Sequence, residues 1–207
     1  MGELVPDFPL FPLGLVAVPH EVVPLHIFED RYKAMIAACL DGDREFGIVW
    51  AAEDGVKANG CAMAVTEVLE RREDGGLDIL TRGTRPFRIV EEHFDHPYPA
   101  GRVEFLDDAD EPRDAPAAQA AHEAYGSLVT EATDKVLGAA ELDALTAYEM
   151  AATVDFGPDA KQGLLELRSE SARLKLLTRL LRAAVRRLDF IERAQARARS
   201  NGKVRFG

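Results

Sequence analysis

This sequence of 207 residues is poor in the features that usually announce a chemistry. It holds two cysteines, Cys39 and Cys61. They form no CxxC pair and no framework spacing, so both thiols read as small buried residues and not as redox or metal groups. No run approaches the ~20 apolar residues that span a bilayer. Prolines interrupt the first apolar runs, so nothing resembles a signal peptide, and a soluble cytoplasmic protein with no membrane partner is expected. There is no GxxxxGK[ST] loop to cradle phosphates and no repeat of solenoid period.

Catalytic and metal constellations are equally scarce. Ser171 and Lys175 stand four apart in a strongly basic helical segment, and no oxyanion-hole loop follows them. His93 and His96, with Asp95 between them, precede Pro97 and read as a surface turn, because a metal would need further ligands from elsewhere. No enzyme signature survives, so no catalytic residue, no metal and no cofactor is expected.

The most informative stretch is Phe8 to Val49. Pro9, Pro12, Pro19 and Pro24 recur so closely that no helix passes through them, since proline fixes φ, lacks an N–H and pushes its predecessor into extended geometry. The residues between are Phe, Leu and Val, which favour burial. Short strands at the edge or rim of a β-domain satisfy both demands. Glu29-Asp30-Arg31 then opens an amphipathic helix, with Tyr32, Met35, Ile36, Cys39 and Leu40 at helical spacing.

Further strands are expected at Phe46 to Ala52, Cys61 to Leu69, Leu77 to Thr81, Pro86 to Val90 and Arg102 to Leu106. Asp74-Gly75-Gly76 marks a hairpin, and Gly83 is expected to separate the next pair. Asp107 to Pro116, DDADEPRDAP, has five acids and no large apolar residue, which makes it a solvated linker. Four helices are expected beyond it, from Ala117 to Leu137, from Glu141 to Val154, from a cap at Asp159 to Leu167, and a long one starting at Ser169 or Ser171. Leu174, Leu177, Leu181, Val185, Leu188 and Ile191 step by three or four along the last, which predicts one buried stripe. The division is therefore a β-domain over 1–106, a linker over 107–116 and a helical bundle over 117–207, an α+β protein.

The net charge of −11 is unevenly spread. From Arg168 to Gly207 there are twelve Lys or Arg and three Asp or Glu, hence +9; the remaining 13 basic and 33 acidic side chains give −20. A basic helix that neutralises an acidic body explains this. The sharper alternative is an arm for RNA, with Arg193, Arg197, Arg199, Lys203 and Arg205 as its residues. Phe190 is placed near the stripe and Phe206 at the terminus, so the arm lacks interleaved aromatics.

PLFPLGLVAVPHEVVPLHIFEDRYKAMIAACL, FGIV, Gly60 and Ala62, LDILTRGTRPFRI, PYPAGRVEFLDD and DAKQGLLELRSESARLKLLTRLL, in that order, resemble the Lon amino-terminal substrate-binding domain over roughly residues 8 to 182. Lon proteases continue into an ATPase module and a peptidase, and this chain stops. The resemblance implies a PUA-like β pseudo-barrel with an inserted helix, and non-catalytic recognition of unfolded or apolar polypeptide segments as an adaptor or holdase, with a protease or chaperone as partner. Leu13, Leu15, Val16, Val22 and Val23 lie near the proline breaks and are candidate substrate-binding residues, together with Arg82 and Arg85 at a groove mouth. His26, Glu29, Arg31 and Tyr32 form a polar cluster at a strand-to-helix junction. It reads as structural, with Glu29 in the first helical turn, Arg31 paired to an acid of the sheet and Tyr32 covering the core.

Overall fold

The structure, a computed structural model, describes residues 2–42 and 44–201, without the side chains of 192, 196 and 198–201. It divides into two compact units: residues up to Glu111 with Tyr148–Glu170, and Pro112–Ala147 with the segment from Ser171. Residues 148–170 thus group with the β-rich part.

The first unit holds strands β1 (Leu4–Leu13), β2 (Val22–Ile27), β3 (Phe46–Ala52), β4 (Gly55–Arg71), β5 (Leu77–His93) and β6 (Ala100–Phe105), with helix α1 (Asp30–Gly42) between β2 and β3. The sheet order is β2-β5-β4-β3-β1-β6, and β5 also pairs β6. Following the pairings from β1 through β3, β4, β5 and β6 returns to β1. β2 stands outside that circuit and, among the described residues, pairs only β5, from Val22 opposite Arg82 to Ile27 opposite Leu77. The proline-rich β1 is therefore not an edge. It is paired on both sides, and its register with β6 shifts between Val5 and Phe8, at Pro6 and Asp7. That is where a strand without every N–H can be accommodated.

A cluster of Phe8, Leu10, Val49, Ala62, Phe87, Val103 and Phe105 is buried by this circuit. Phe8, Phe87 and Phe105 meet edge to face at 5.4 to 6.4 Å between ring centroids, a favoured aromatic arrangement. The tip of Phe87 occupies space that side chains at Gly47 and Gly60 would need, since a Cβ there would lie 2.3 and 2.7 Å from it. The buried face of α1 is Tyr32, Met35, Ile36 and Cys39. Burial pushes the Cys39 thiol up to about 11 and the Cys61 thiol up as well, and both cysteines are free.

The Asp74-Gly75-Gly76 hairpin forms, with Gly75 at positive φ and Asp74 accepting from the Gly76 N–H at 2.9 Å. Gly83 differs from expectation. It lies inside a single 17-residue β5, where its N–H donates to the Glu21 carbonyl at 2.9 Å and its carbonyl accepts from His20 at 2.8 Å. A Cβ on Gly83 would meet the Val18 carbonyl at 2.2 Å, so the glycine permits close chain approach instead of making a turn. Glu21 anchors the same loop. It accepts from the Val18 N–H at 3.1 Å and from Lys161 at 2.5 Å.

Beyond Glu111 the second unit begins. α2 (Ala115–Thr133) is capped by Asp114, which accepts from Ala117 N–H and pairs with Lys175 at 2.7 Å. The expected helix over 141–154 is instead two short ones, α3 (Ala139–Asp143) and α4 (Ala147–Ala151). α5 (Pro158–Glu166), back in the first unit, starts from Gly157 and not from an Asp159 cap. That makes five helices after β6 among the described residues, ending in α6 (Glu170–Asn201). Its stripe is buried at Leu174, Leu177 and Leu181, half-buried at Val185 and Leu188, and exposed at Ile191. Lys203, Arg205 and Phe206 lie outside the described residues, as does the side chain of Arg199.

Gly60→Ala brings a methyl within 2.5 Å of the Ile48 carbonyl and is expected to cost roughly 1–3 kcal/mol in urea unfolding. Gly14→Ala, with no atom within 4 Å of the new carbon, should cost nothing measurable. Leu177→Ala or Leu181→Ala, both fully buried, should cost about 2–5 kcal/mol in the same assay. Ile191→Ala, at an exposed position, should fall within about 0.5 kcal/mol of the parent.

Candidate functional site

β2 has an alternating pattern, Glu21-Val22-Val23-Pro24-Leu25-His26-Ile27. Val23 and Ile27 are buried, while Val22, Pro24 and His26 are exposed. Successive strand side chains point to opposite faces, so one face of β2 serves the core and the other faces solvent. Its far edge has no strand partner among the described residues, and Pro24 fits there because an edge strand tolerates a missing N–H. Three large apolar side chains stay exposed in this part of the sheet: Val22 of β2 at 49%, Phe28 just after β2 at 62% and Leu69 of β4, on the other side of β5, at 53%. An open cleft of about 470 Å³ lies across β5 from β2 to β4, lined by Pro24, Leu25, His26, Leu69, Asp78 and Ile79 among others.

The cleft has a polar frame. Asp78 accepts from Arg72 at 2.7 and 3.2 Å and meets His26 Nδ1 at 2.5 Å. The Arg72 hydrogen bond, and then that of His26, hold the Asp78 carboxyl below the usual carboxylate range. His26 also stacks on Phe28, with ring centroids 5.7 Å apart. The arrangement offers an apolar slot with an adjoining strand edge and a carboxylate committed to its own partners. It suits the binding of an extended chain better than bond cleavage.

The residues singled out from sequence are partly brought together here. Val22 and Arg82 face each other across β2 and β5, and both are exposed. His26 lies in the cleft. Leu13 and Leu15 are half-buried, and Val16 and Val23 are buried core residues. Arg85 is engaged elsewhere, 2.7 Å from Glu3 and with its guanidinium 3.5 Å above the Phe105 ring. Arg31 pairs with neighbouring Glu29 at 2.8 Å and not with an acid of the sheet, and its guanidinium lies over the Tyr32 ring. Tyr32 is buried against Phe11, as a core-covering residue should be. Leu69, Phe28, Asp78 and Arg72 were not singled out. Phe28 follows β2 directly, but Leu69 and Asp78 reach the cleft only through strand register. His93 donates to the Pro6 carbonyl at 3.2 Å and His96 to the Asp7 carboxylate at 2.9 Å. Among the described residues no three His, Cys, Asp or Glu side chains are placed to hold a metal ion, and no described helix is long and apolar enough to cross a membrane.

Residues 7–183 match the family of the ATP-dependent protease La (LON) substrate-binding domain. Two solved structures share the fold. One is the crystal structure of a Lon N-terminal domain protein from Xanthomonas campestris, with a TM-score of 0.64 at 23% identity, covering 84% of this chain and 97% of that one. The other is the N-terminal domain of the Mycobacterium avium complex Lon protease, with a TM-score of 0.63 at 21% identity over the same shares. The mixed sheet-and-helix architecture and the family match agree. No ATPase or peptidase module lies within these 207 residues, and the chain belongs to the LON substrate-binding domain family.

Proposed function

We propose that this chain binds exposed apolar segments of other polypeptides at the β2 edge, as a non-catalytic adaptor or holdase that presents them to a protease or chaperone. The observation that carries the reading is the unpaired β2 edge, with Val22 and Phe28 exposed on and just after β2 and Leu69 exposed in the cleft across β5. An extended peptide adds to such an edge through main-chain hydrogen bonds, while alternate side chains enter the slot. Pro24 withholds one donor, which limits pairing and keeps the edge from aggregating with its like. Affinity is accordingly modest, about micromolar, or roughly −8 kcal/mol.

RNA binding through α6 is a second reading, and one observation favours it. Phe190 is 70% exposed and lines an open cleft of about 540 Å³ with Arg186, Arg193 and Arg197. An exposed ring among arginines is the combination on which single-stranded bases stack.

A titration at low and high salt separates the two. An unfolded apolar polypeptide should bind with little salt dependence, and Phe28→Ser with Leu69→Ser should weaken it about tenfold. RNA affinity should fall steeply as salt rises, because phosphate contacts release counterions. Binding of RNA alone, abolished by truncation after Ile191, would reverse the assignment. The cleft's frame gives a pH expectation. A depressed carboxyl stabilises the fold above the ordinary range near pH 4 and loses that contribution as pH falls through its lowered value. Asp54, Asp74, Asp78, Glu104 and Asp114 all shift this way. The melting temperature should therefore drop below about pH 4, and Asp78→Asn should flatten part of that drop while speeding amide exchange in β2 at neutral pH.

A further inference from the structure

A second cleft in the first unit has a different chemistry. Trp50, the chain's one tryptophan, lies near the end of β3 and is half-buried. It lines an open cleft of about 660 Å³ with Glu53, Asp54 and Lys57 of the β3–β4 hairpin and with Asp159, Gln162 and Glu166 of α5. Lys57 pairs with Asp54 at 2.6 Å and stands 5.8 Å from the centroid of the Trp50 ring. No lysine or arginine forms an ion pair with Glu53, Asp159 or Glu166 among the described residues, so the cleft keeps an excess of negative charge.

Gln162 adds an independent observation. It is only 5% exposed. Its Nε2 donates to the Asn59 carbonyl and to Glu166 Oε1, each at 3.2 Å, which fixes the orientation of the amide. Its Oε1 is left with no hydrogen-bond partner. A buried acceptor in that state is an unmet demand for a donor. The cleft therefore presents carboxylates and an aromatic face to one occupant, with the unpaired Gln162 carbonyl buried in its wall. The acids are not placed to hold a metal ion. Their complement is an extended cation with many donors, and a guanidinium fits best, being planar, permanently charged and able to stack on an indole while donating five N–H groups.

We propose that this cleft receives an arginine side chain of the bound polypeptide, so that the chain selects apolar segments carrying arginine. The inference rests on the polypeptide-binding reading and names its substrate class. The net charge of −20 over residues 1 to 167 works in the same direction, drawing basic segments toward this part of the chain.

Trp50 supplies its own reporter, because tryptophan emission from the full chain can come from no other residue. The probes are a capped leucine-serine peptide with one arginine, its twin with citrulline, which keeps the shape and loses the charge, and a leucine-serine peptide with neither. N-acetylarginine amide serves as the free side chain. The arginine peptide should shift Trp50 emission saturably, about tenfold more tightly than the citrulline twin and than N-acetylarginine amide, and should weaken as salt rises. Asp159→Asn with Glu166→Gln, both exposed and away from the core, should weaken it about tenfold with an unchanged melting temperature. Gln162→Met should also weaken it, while the peptide lacking arginine binds every variant alike. Equal binding of the citrulline twin, a flat emission signal or an unaffected double variant overturns the arginine site. If the uncharged peptide still binds in that case, the polypeptide reading stands. If it also fails to bind, both fall. Tighter binding of N-acetylarginine amide than of the peptide would mean a free cation is the occupant, and would overturn the proposal too.

Discussion

Phe87 sits where two other residues have given up their side chains, and the β-circuit depends on that concession. Its ring fills space beside Gly47 of β3 and Gly60 of β4, and meets Phe8 of β1 and Phe105 of β6. One side chain from β5 thus touches or crowds every other strand of the circuit. Protein interiors are packed too densely to absorb an added methyl there without displacing backbone. A sheet closed on itself hides its edges, and closure here is possible because the interior is small enough for a few aromatic rings to fill.

That closure also decides which surface remains available. β5 runs for 17 residues and offers the same edge to two partners in succession, β2 along its first part and β6 along its second. β2 is consequently left outside with one edge unpaired. Its position is fixed by the loop before it, where Gly83, Glu21 and Lys161 hold the chain close to β5. The apolar slot across β5 from β2 to β4 follows from strand order as much as from the residues that line it. The Trp50 cleft has a similar origin, since it needs the β3–β4 hairpin and α5 on the same side of β4, and the Gln162–Asn59 hydrogen bond helps hold them there.

The charge division gains physical content from these placements. The acids that make the β-rich part negative are in several cases already committed: Asp78 to Arg72, Glu104 to Arg88 and Asp54 to Lys57. Of the acids lining the Trp50 cleft, Asp54 is committed to Lys57, while Glu53, Asp159 and Glu166 form no ion pair with a lysine or arginine among the described residues. Surface ion pairs contribute little each, so the committed acids matter more for holding strands and turns in place than for overall stability. The basic excess of α6 follows the same logic in reverse. Lys175 is engaged by the α2 cap at Asp114 and Arg193 pairs with Asp189 at 3.8 Å, and Arg186, Arg193 and Arg197 line the cleft beside the exposed Phe190 ring.

Much of this was legible in the sequence, because the physics involved is local. Proline spacing excluded helix over the first 24 residues, helical periodicity placed α1 and the buried turns of α6, Asp-Gly-Gly placed the β4–β5 hairpin, and β3 was bounded correctly at Phe46 and Ala52. The family pattern supplied the fold class. Three local readings failed where long-range packing overrode them. Gly83 looked like a turn and is a strand glycine under another chain segment. The prolines of β1 suggested an edge, but β1 is paired on both sides. Val16 and Val23 looked available and are buried. The sequence by itself determined which segments are extended, which are helical and where charge accumulates, since each depends on neighbours a few residues apart. Only the tertiary structure decided which strand is left unpaired and which side chains meet in a cleft. Leu69, Asp78 and His26, or Trp50 and Gln162, are brought together by strand register and helix packing, and neither is encoded in any short window of the chain.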